Sequence, residues 1–72
     1  MDSRKIGELI CKLRKEKNLT QRELGDLLYV SDKAVSKWER GLGYPDISLL
    51  TELSRIFQIP VESIMSGEID RA

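Results

Sequence analysis

The stretch LTQRELGDLLYVSDKAVSKWERG, residues 19–41, decides the fold because it contains two helix start signals and a stop. Thr20 is followed three residues later by Glu23, which is the spacing of a capping box. Ser31 is a second residue of the type whose side chain accepts a hydrogen bond from the first turn of a helix. Gly41 supplies the left-handed conformation that often closes a helix. The stretch therefore predicts two short helices joined by a tight turn.

The apolar residues of these two helices recur at helical spacing, which predicts the sides that face the core. They are Leu24, Leu27 and Leu28 in the first helix, and Ala34, Val35 and Trp38 in the second. Leu19, just before the cap, pairs with Leu24 as a hydrophobic staple.

Three further helices are predicted around this pair. Residues 3–17 carry one apolar stripe, formed by Ile6, Leu9, Ile10 and Leu13. Asp46 can cap a fourth helix, whose core residues are Leu49, Leu50, Leu53, Ile56 and Phe57. Pro60 interrupts the chain, and a last short turn brings Ile64 and Met65 to the core. The predicted fold class is all-α, a compact five-helix bundle at residues 1–66 with a frayed C-terminal tail at 67–72.

The composition argues against several classes of function. The chain has 72 residues, one cysteine (Cys11) and no histidine, so neither an internal disulfide nor a zinc site built on Cys11 alone is available. No potential nucleophile has a general base at the spacing of a catalytic motif, and the sequence contains no glycine-rich phosphate-binding loop. No apolar run approaches the roughly 20 residues that cross a bilayer. We therefore expect a cytoplasmic protein that is not an enzyme and has no cofactor, metal, membrane or small-molecule ligand.

The net charge of zero conceals a gradient along the chain. Residues 1–17 contain six basic and three acidic side chains, residues 18–45 four of each, and residues 46–72 two basic and five acidic. Binding responds to local potential rather than to the total, so a positive face is compatible with a neutral chain.

Residues 13–60, LRKEKNLTQRELGDLLYVSDKAVSKWERGLGYPDISLLTELSRIFQIP, resemble the Cro and phage-repressor type of helix-turn-helix, the Xre family. The shared elements are LTQ-x-EL at 19–24, VS at 30–31, SKWERG at 36–41 and YP-x-x-x-x-L at 44–50. The resemblance implies a lambda-repressor-like DNA-binding domain of a bacterial or phage transcriptional regulator, associated with the nucleoid when bound. Such domains usually bind a palindromic operator in double-stranded DNA as homodimers, with the second helix of the motif in the major groove.

The resemblance also implies roles for individual residues. The base-reading positions match Asp32, Lys33, Ser36 and Lys37, and the phosphate-contacting positions match Thr20, Gln21, Arg22 and Arg40. Arg14 and Glu39 match a pair that forms a salt bridge behind the recognition helix, which as a partly exposed pair contributes about 0–1 kcal/mol. Helical spacing independently puts the base-reading set on one stripe, opposite the apolar side. An acidic residue at position 32 is also favoured by the helix dipole, so a base contact by Asp32 remains one of two interpretations.

Two residues depart from the family pattern. Gly25 stands where alanine is usual, inside the first helix of the motif, and Tyr29 stands where the turn usually has glycine. A bulky residue with positive φ is strained, so we expect either a remodelled turn or a compensating contact for Tyr29.

Two further questions stay open at this stage. An alternative function is a protein-interaction module, antitoxin-like or regulatory, which binds a partner through the acidic part from Asp46 onward. Ile64, Met65 and Ile69 form a dimer surface or simply complete the core.

Overall fold

The computed structural model describes residues 1–69 and, within them, confirms the all-α prediction. The five helices of this part are α1 (Ser3–Glu16), α2 (Gln21–Leu28), α3 (Asp32–Glu39), α4 (Ile47–Phe57) and α5 (Val61–Ser66). None of these helices is long and apolar enough to span a membrane. The predicted tail at 67–72 falls partly on 70–72, outside the described residues, whereas 67–69 lie against α1: Lys5 Nζ forms a salt bridge with Glu68 at 3.1 Å.

The helix starts follow the local signals in the sequence. At α2 the Thr20 side chain accepts from the Glu23 backbone N–H at 3.0 Å, and the Glu23 carboxylate accepts from the Thr20 N–H at 2.8 Å. Ser31 Oγ accepts from the Ala34 N–H at 3.1 Å at the start of α3. Asp46 caps α4 as predicted. Each pair satisfies backbone donors that a helix leaves without partners at its first turn.

The core is formed by side chains from all five helices. Its buried apolar residues are Ile6, Leu9, Ile10, Leu13, Leu24, Leu28, Val35, Trp38, Leu50, Leu53, Phe57 and Ile64. Within this arrangement α3 packs against both α1 and α2, and α5 packs against α1 and α4. Ile64 and Ile69 both join this packing, so the interpretation that they complete the core holds for these two residues.

Helices α1 and α3 approach each other at Gly7. A Cβ built on this glycine would lie 2.0 Å from the Trp38 carbonyl oxygen and 3.1 Å from its carbon. Only a residue without a side chain fits such a contact between backbones. Gly7 therefore sets how deeply α3 is seated on α1.

The predicted burial is wrong for two residues. Leu27 is 50% exposed, because α2 packs mainly on α3 and has few neighbours on its side toward α4. Met65 is 37% exposed, because the six-residue helix α5 turns a single buried residue, Ile64, toward the core. One helical position corresponds to about 100° of rotation, which carries the next side chain away from the interior.

Candidate nucleic-acid interface

Helix α3 separates its side chains into a buried side and an open side. Val35 and Trp38 are buried against α1 and α2. Of the predicted base-reading residues, Asp32, Lys33 and Lys37 are exposed and Ser36 is half-buried. The structure therefore brings this set together on the open side of one helix, where the helical period placed it.

The start of α2 adds the second group of predicted contacts. Thr20 and Arg22 are exposed, and Gln21 is half-buried. Gln21 Nε2 donates to Glu39 Oε1 at 3.0 Å, so the first residue of α2 is tied to the last residue of α3. Arg40 follows α3 and is exposed, with its Nε donating to the Ser36 carbonyl at 3.3 Å.

Behind α3, Arg14 and Glu39 form a salt bridge with two hydrogen bonds. Arg14 Nε donates to Glu39 Oε2 at 2.6 Å, and Nη2 donates to Oε1 at 2.9 Å. Arg14 Nη1 donates to the Leu19 carbonyl at 2.8 Å, just before α2. The side chains are 11% and 6% exposed, and both residues are half-buried. Removing one partner would leave the other charge half-buried and without these hydrogen bonds.

Charge states in this network follow from its geometry. Burial acts to raise the pKa of Glu39, but hydrogen bonds from Arg14 and Gln21 outweigh it, and the net pKa is lowered. The hydrogen bond to Glu39 raises the pKa of Arg14. A lowered carboxylate pKa stabilises the fold above the unfolded pKa, and this stabilisation is lost as pH falls through the folded pKa. At neutral pH the network is thus ionised and joins α1, α2 and α3.

Arg4 is a basic residue of this region that the sequence did not single out. A Cβ built on Gly41 would meet Arg4 Cγ at 3.0 Å, so Arg4 lies against the residue that follows Arg40. Ser3 Oγ donates to the Gly41 carbonyl at 3.1 Å and holds the start of α1 there. The sequence signal was a basic residue in the first turn of α1, but its proximity to α3 depends on tertiary packing.

The turn between α2 and α3 is closed and tight. The Val30 N–H donates to the Gly25 carbonyl at 2.9 Å. A Cβ on Gly25 would lie 2.7 Å from the Val30 carbonyl oxygen, so alanine there would require a backbone shift. The glycine at position 25 is thus suited to the particular turn that this chain forms.

Tyr29, at the end of α2, has a left-handed backbone conformation with φ 59° and ψ 39°. The residue is 96% exposed. Neither alternative expected from the sequence holds: the turn keeps the left-handed geometry that favours glycine, and the ring is not buried against the fold. Tyr29 is one of the residues that line an open groove between α2 and α4, together with Leu27, Leu28, Ser48, Leu49, Glu52 and Arg55.

Comparison with known proteins gives a consistent family match. A family model described as helix-turn-helix matches residues 12–64. The chain is 44% identical over 63 residues to the HTH-type transcriptional activator BcrR of Enterococcus faecalis, covering 88% of this chain and 31% of that protein. It is 39% identical over 66 residues to the HTH-type transcriptional regulator DicA of Escherichia coli, covering 92% and 49% respectively. The chain thus spans about a third to a half of the length of these relatives.

Solved structures show the same fold. The P22 c2 repressor, solved in complex with a synthetic operator, superposes with a TM-score of 0.81 at 33% identity, covering 88% of this chain and 96% of that one. The clp gene regulator ClgR of Corynebacterium glutamicum superposes with a TM-score of 0.79 at 24% identity, covering 93% and 71%, and this likeness concerns the fold alone.

Proposed function

Because this chain belongs to the helix-turn-helix family, we propose that it is the DNA-binding domain of a transcriptional regulator that recognises a specific double-stranded site. The observation that carries the proposal is the open side of α3, held against the start of α2 by the Arg14–Glu39–Gln21 network. The P22 c2 repressor, a relative of similar fold, was solved with operator DNA, which supports the same class of ligand here.

We assign recognition of the DNA base sequence to α3, which would lie in the major groove. Lys33 and Lys37 donate to guanine O6 and N7, and Ser36 can donate to or accept from a base edge. Asp32 accepts from cytosine N4 if the first base pair presents it. Each good contact of this kind contributes about 1–3 kcal/mol of discrimination.

Phosphates are held at both ends of the motif. Thr20 and Arg22 at the start of α2, and Arg40 after α3, are exposed and can reach the backbone. Gln21 uses one amide donor for Glu39, and the second N–H of the same group can donate to a phosphate. Arg4 extends this basic edge from α1. Such contacts fix the register of the protein and supply most of its affinity without reading sequence.

The active species is proposed to be a homodimer on a palindromic operator, in the cytoplasm of a bacterium, with no cofactor. Half-sites about one helical turn apart would present both α3 helices to the same side of the duplex.

The decisive experiment starts by selecting binding sites for this chain from random duplexes. On the selected site, Lys33→Ala and Lys37→Ala should each raise the dissociation constant about 5- to 150-fold and relax the preference at one base position. Lys12→Ala is the matched control, since Lys12 is exposed on α1 beside residues 67–69 and should leave binding nearly unchanged.

An unchanged dissociation constant in the Lys33→Ala, Lys37→Ala double variant would refute the assignment of α3. In that case the alternative of a protein-interaction module would become the better reading. DNA binding should also weaken steeply with salt, in proportion to the phosphates contacted.

A further inference from the structure

We propose that the open groove between α2 and α4 is an interface for a second copy of this chain, in which Glu52 of each copy pairs with Arg55 of the other. The inference goes beyond the proposed function, because the contact requires no DNA. Its basis is a surface that combines exposed apolar side chains, an open recess and one charge of each sign.

The groove exposes apolar side chains that the fold itself does not cover. Its volume is about 470 Å³, and its apolar lining residues include Leu27, Leu28 and Leu49. Leu27 is half exposed, and Tyr29 is almost fully exposed. Ile47 begins α4 directly before the lining residues and is 75% exposed. Single exposed apolar residues are ordinary, but a group of them beside a recess marks an interaction surface.

Helix α4 presents one continuous face to this groove. Its lining residues are Ser48, Leu49, Glu52 and Arg55, which follow the helical period. Glu52 and Arg55 form a salt bridge within the helix, but their side chains remain 42% and 75% exposed. The guanidinium and the carboxylate therefore keep donors and acceptors for another molecule. An exposed pair of this kind contributes little within one chain, so an exchange of partners costs little.

The order of the two charges suits a contact with two-fold symmetry. In such an interface a residue i contacts residue j of the other copy, and j contacts i in return. Two α4 helices packed antiparallel, with the axis midway between Glu52 and Arg55, bring these residues opposite each other twice. A surface of one sign would repel its own copy, whereas this surface attracts it. Charge complementarity therefore favours a second copy as the occupant.

Tyr29 supplies a large part of the apolar contact. Tyrosine is enriched among the residues that carry most of the binding energy of protein interfaces. Covering its ring removes apolar area from water, and excluding water from the groove also strengthens the neighbouring charge pairs. None of the residues that line the groove belongs to the set assigned to bases or phosphates. Self-association and DNA binding would thus use different residues.

The test reverses the charges one at a time. Glu52→Arg makes both charges of the face positive, and Arg55→Glu makes both negative, so each variant should repel its own copies. In sedimentation equilibrium without DNA, at up to about 1 mM, the wild type should form dimers and each variant alone should stay monomeric. An equimolar mixture of the two variants should form heterodimers as readily as the wild type dimerises, because opposite charges then face each other in both pairs.

Matched controls change the same kinds of charge elsewhere on the surface. Glu8→Arg and Lys12→Glu alter exposed residues of α1 and should leave dimerisation unchanged. Tyr29→Gly should raise the dissociation constant of the dimer about tenfold or more without lowering the melting temperature. The charge variants should melt close to the wild type, since their salt bridge is exposed.

The outcomes separate this inference from the proposed function. A wild type that stays monomeric, variants that associate like the wild type, or a mixture that does not restore the dimer would each overturn the inference. DNA recognition is tested independently, by selection from random duplexes and by the Lys33 and Lys37 variants. Those two variants should dimerise as the wild type does, so a failure of DNA recognition leaves the groove interface standing, and the reverse also holds.

Discussion

At the scale of single residues, Tyr29 combines a left-handed backbone conformation with an almost fully exposed aromatic ring. A left-handed conformation costs a residue with a side chain about 1–2 kcal/mol. Glycine adopts this conformation without that cost. It loses more conformational entropy on folding than a residue with a side chain, however, which destabilises the fold by about 0.4–1 kcal/mol. Since the ring is almost fully exposed, its removal costs no packing.

Tyr29→Gly should therefore leave the free energy of unfolding equal or raise it by up to about 1 kcal/mol. For a domain of this size 1 kcal/mol corresponds to a rise in melting temperature of about 4–8 °C, measurable by circular dichroism. Gln58→Gly is the matched control, because Gln58 has φ 57° at the end of α4 and no ring. A lower melting temperature for Tyr29→Gly alone would mean that the ring anchors part of the fold.

At the scale of the elements, the crossing of α1 and α3 depends on one glycine. Gly7→Ala would place a Cβ 2.0 Å from the Trp38 carbonyl oxygen, and neither backbone can move without disturbing the core. We expect the free energy of unfolding to fall by about 2 kcal/mol or more. Gly43→Ala is the control, since a Cβ there meets no atom within 4 Å, and its stability should be unchanged or slightly higher.

Urea denaturation of both variants tests this prediction. Equal midpoints for Gly7→Ala and Gly43→Ala would contradict the close contact between the two helices. A lower midpoint for Gly7→Ala together with weaker DNA binding would indicate that the seating of α3 on α1 also positions the open side of α3 that we propose reads bases.

The elements also show what the sequence could and could not predict. The starts of α2 and α3 were predictable because caps such as Thr20–Glu23 act within a few residues of the chain. The open side of α3 follows equally from the helical period. Burial of Leu27 was misjudged, because it depends on how closely α4 approaches α2. The Gln21–Glu39 bond joins residues 18 positions apart and likewise requires the packed fold.

At the scale of the whole molecule, charge and size constrain how this chain can bind DNA. Its total charge is zero, with the acidic excess located after residue 45. Long-range attraction to DNA is then weak, and we expect affinity to depend on a small number of local phosphate contacts. Few contacts per domain leave one copy with modest affinity, so two copies acting on one duplex are the expected way to gain more.

This reasoning predicts that a duplex with two selected half-sites, centred about 10 bp apart in palindromic orientation, binds two copies of the chain and does so more tightly than a single half-site. Binding of the second copy beside the first should lower the apparent dissociation constant about 100-fold or more. Inserting 5 bp between the half-sites should remove the gain, because half a turn moves the second site to the opposite side of the duplex. Mobility-shift titrations with both duplexes measure the stoichiometry and the affinity. A single bound copy on the palindrome, or equal affinity at both spacings, would show that the chain recognises DNA as a monomer.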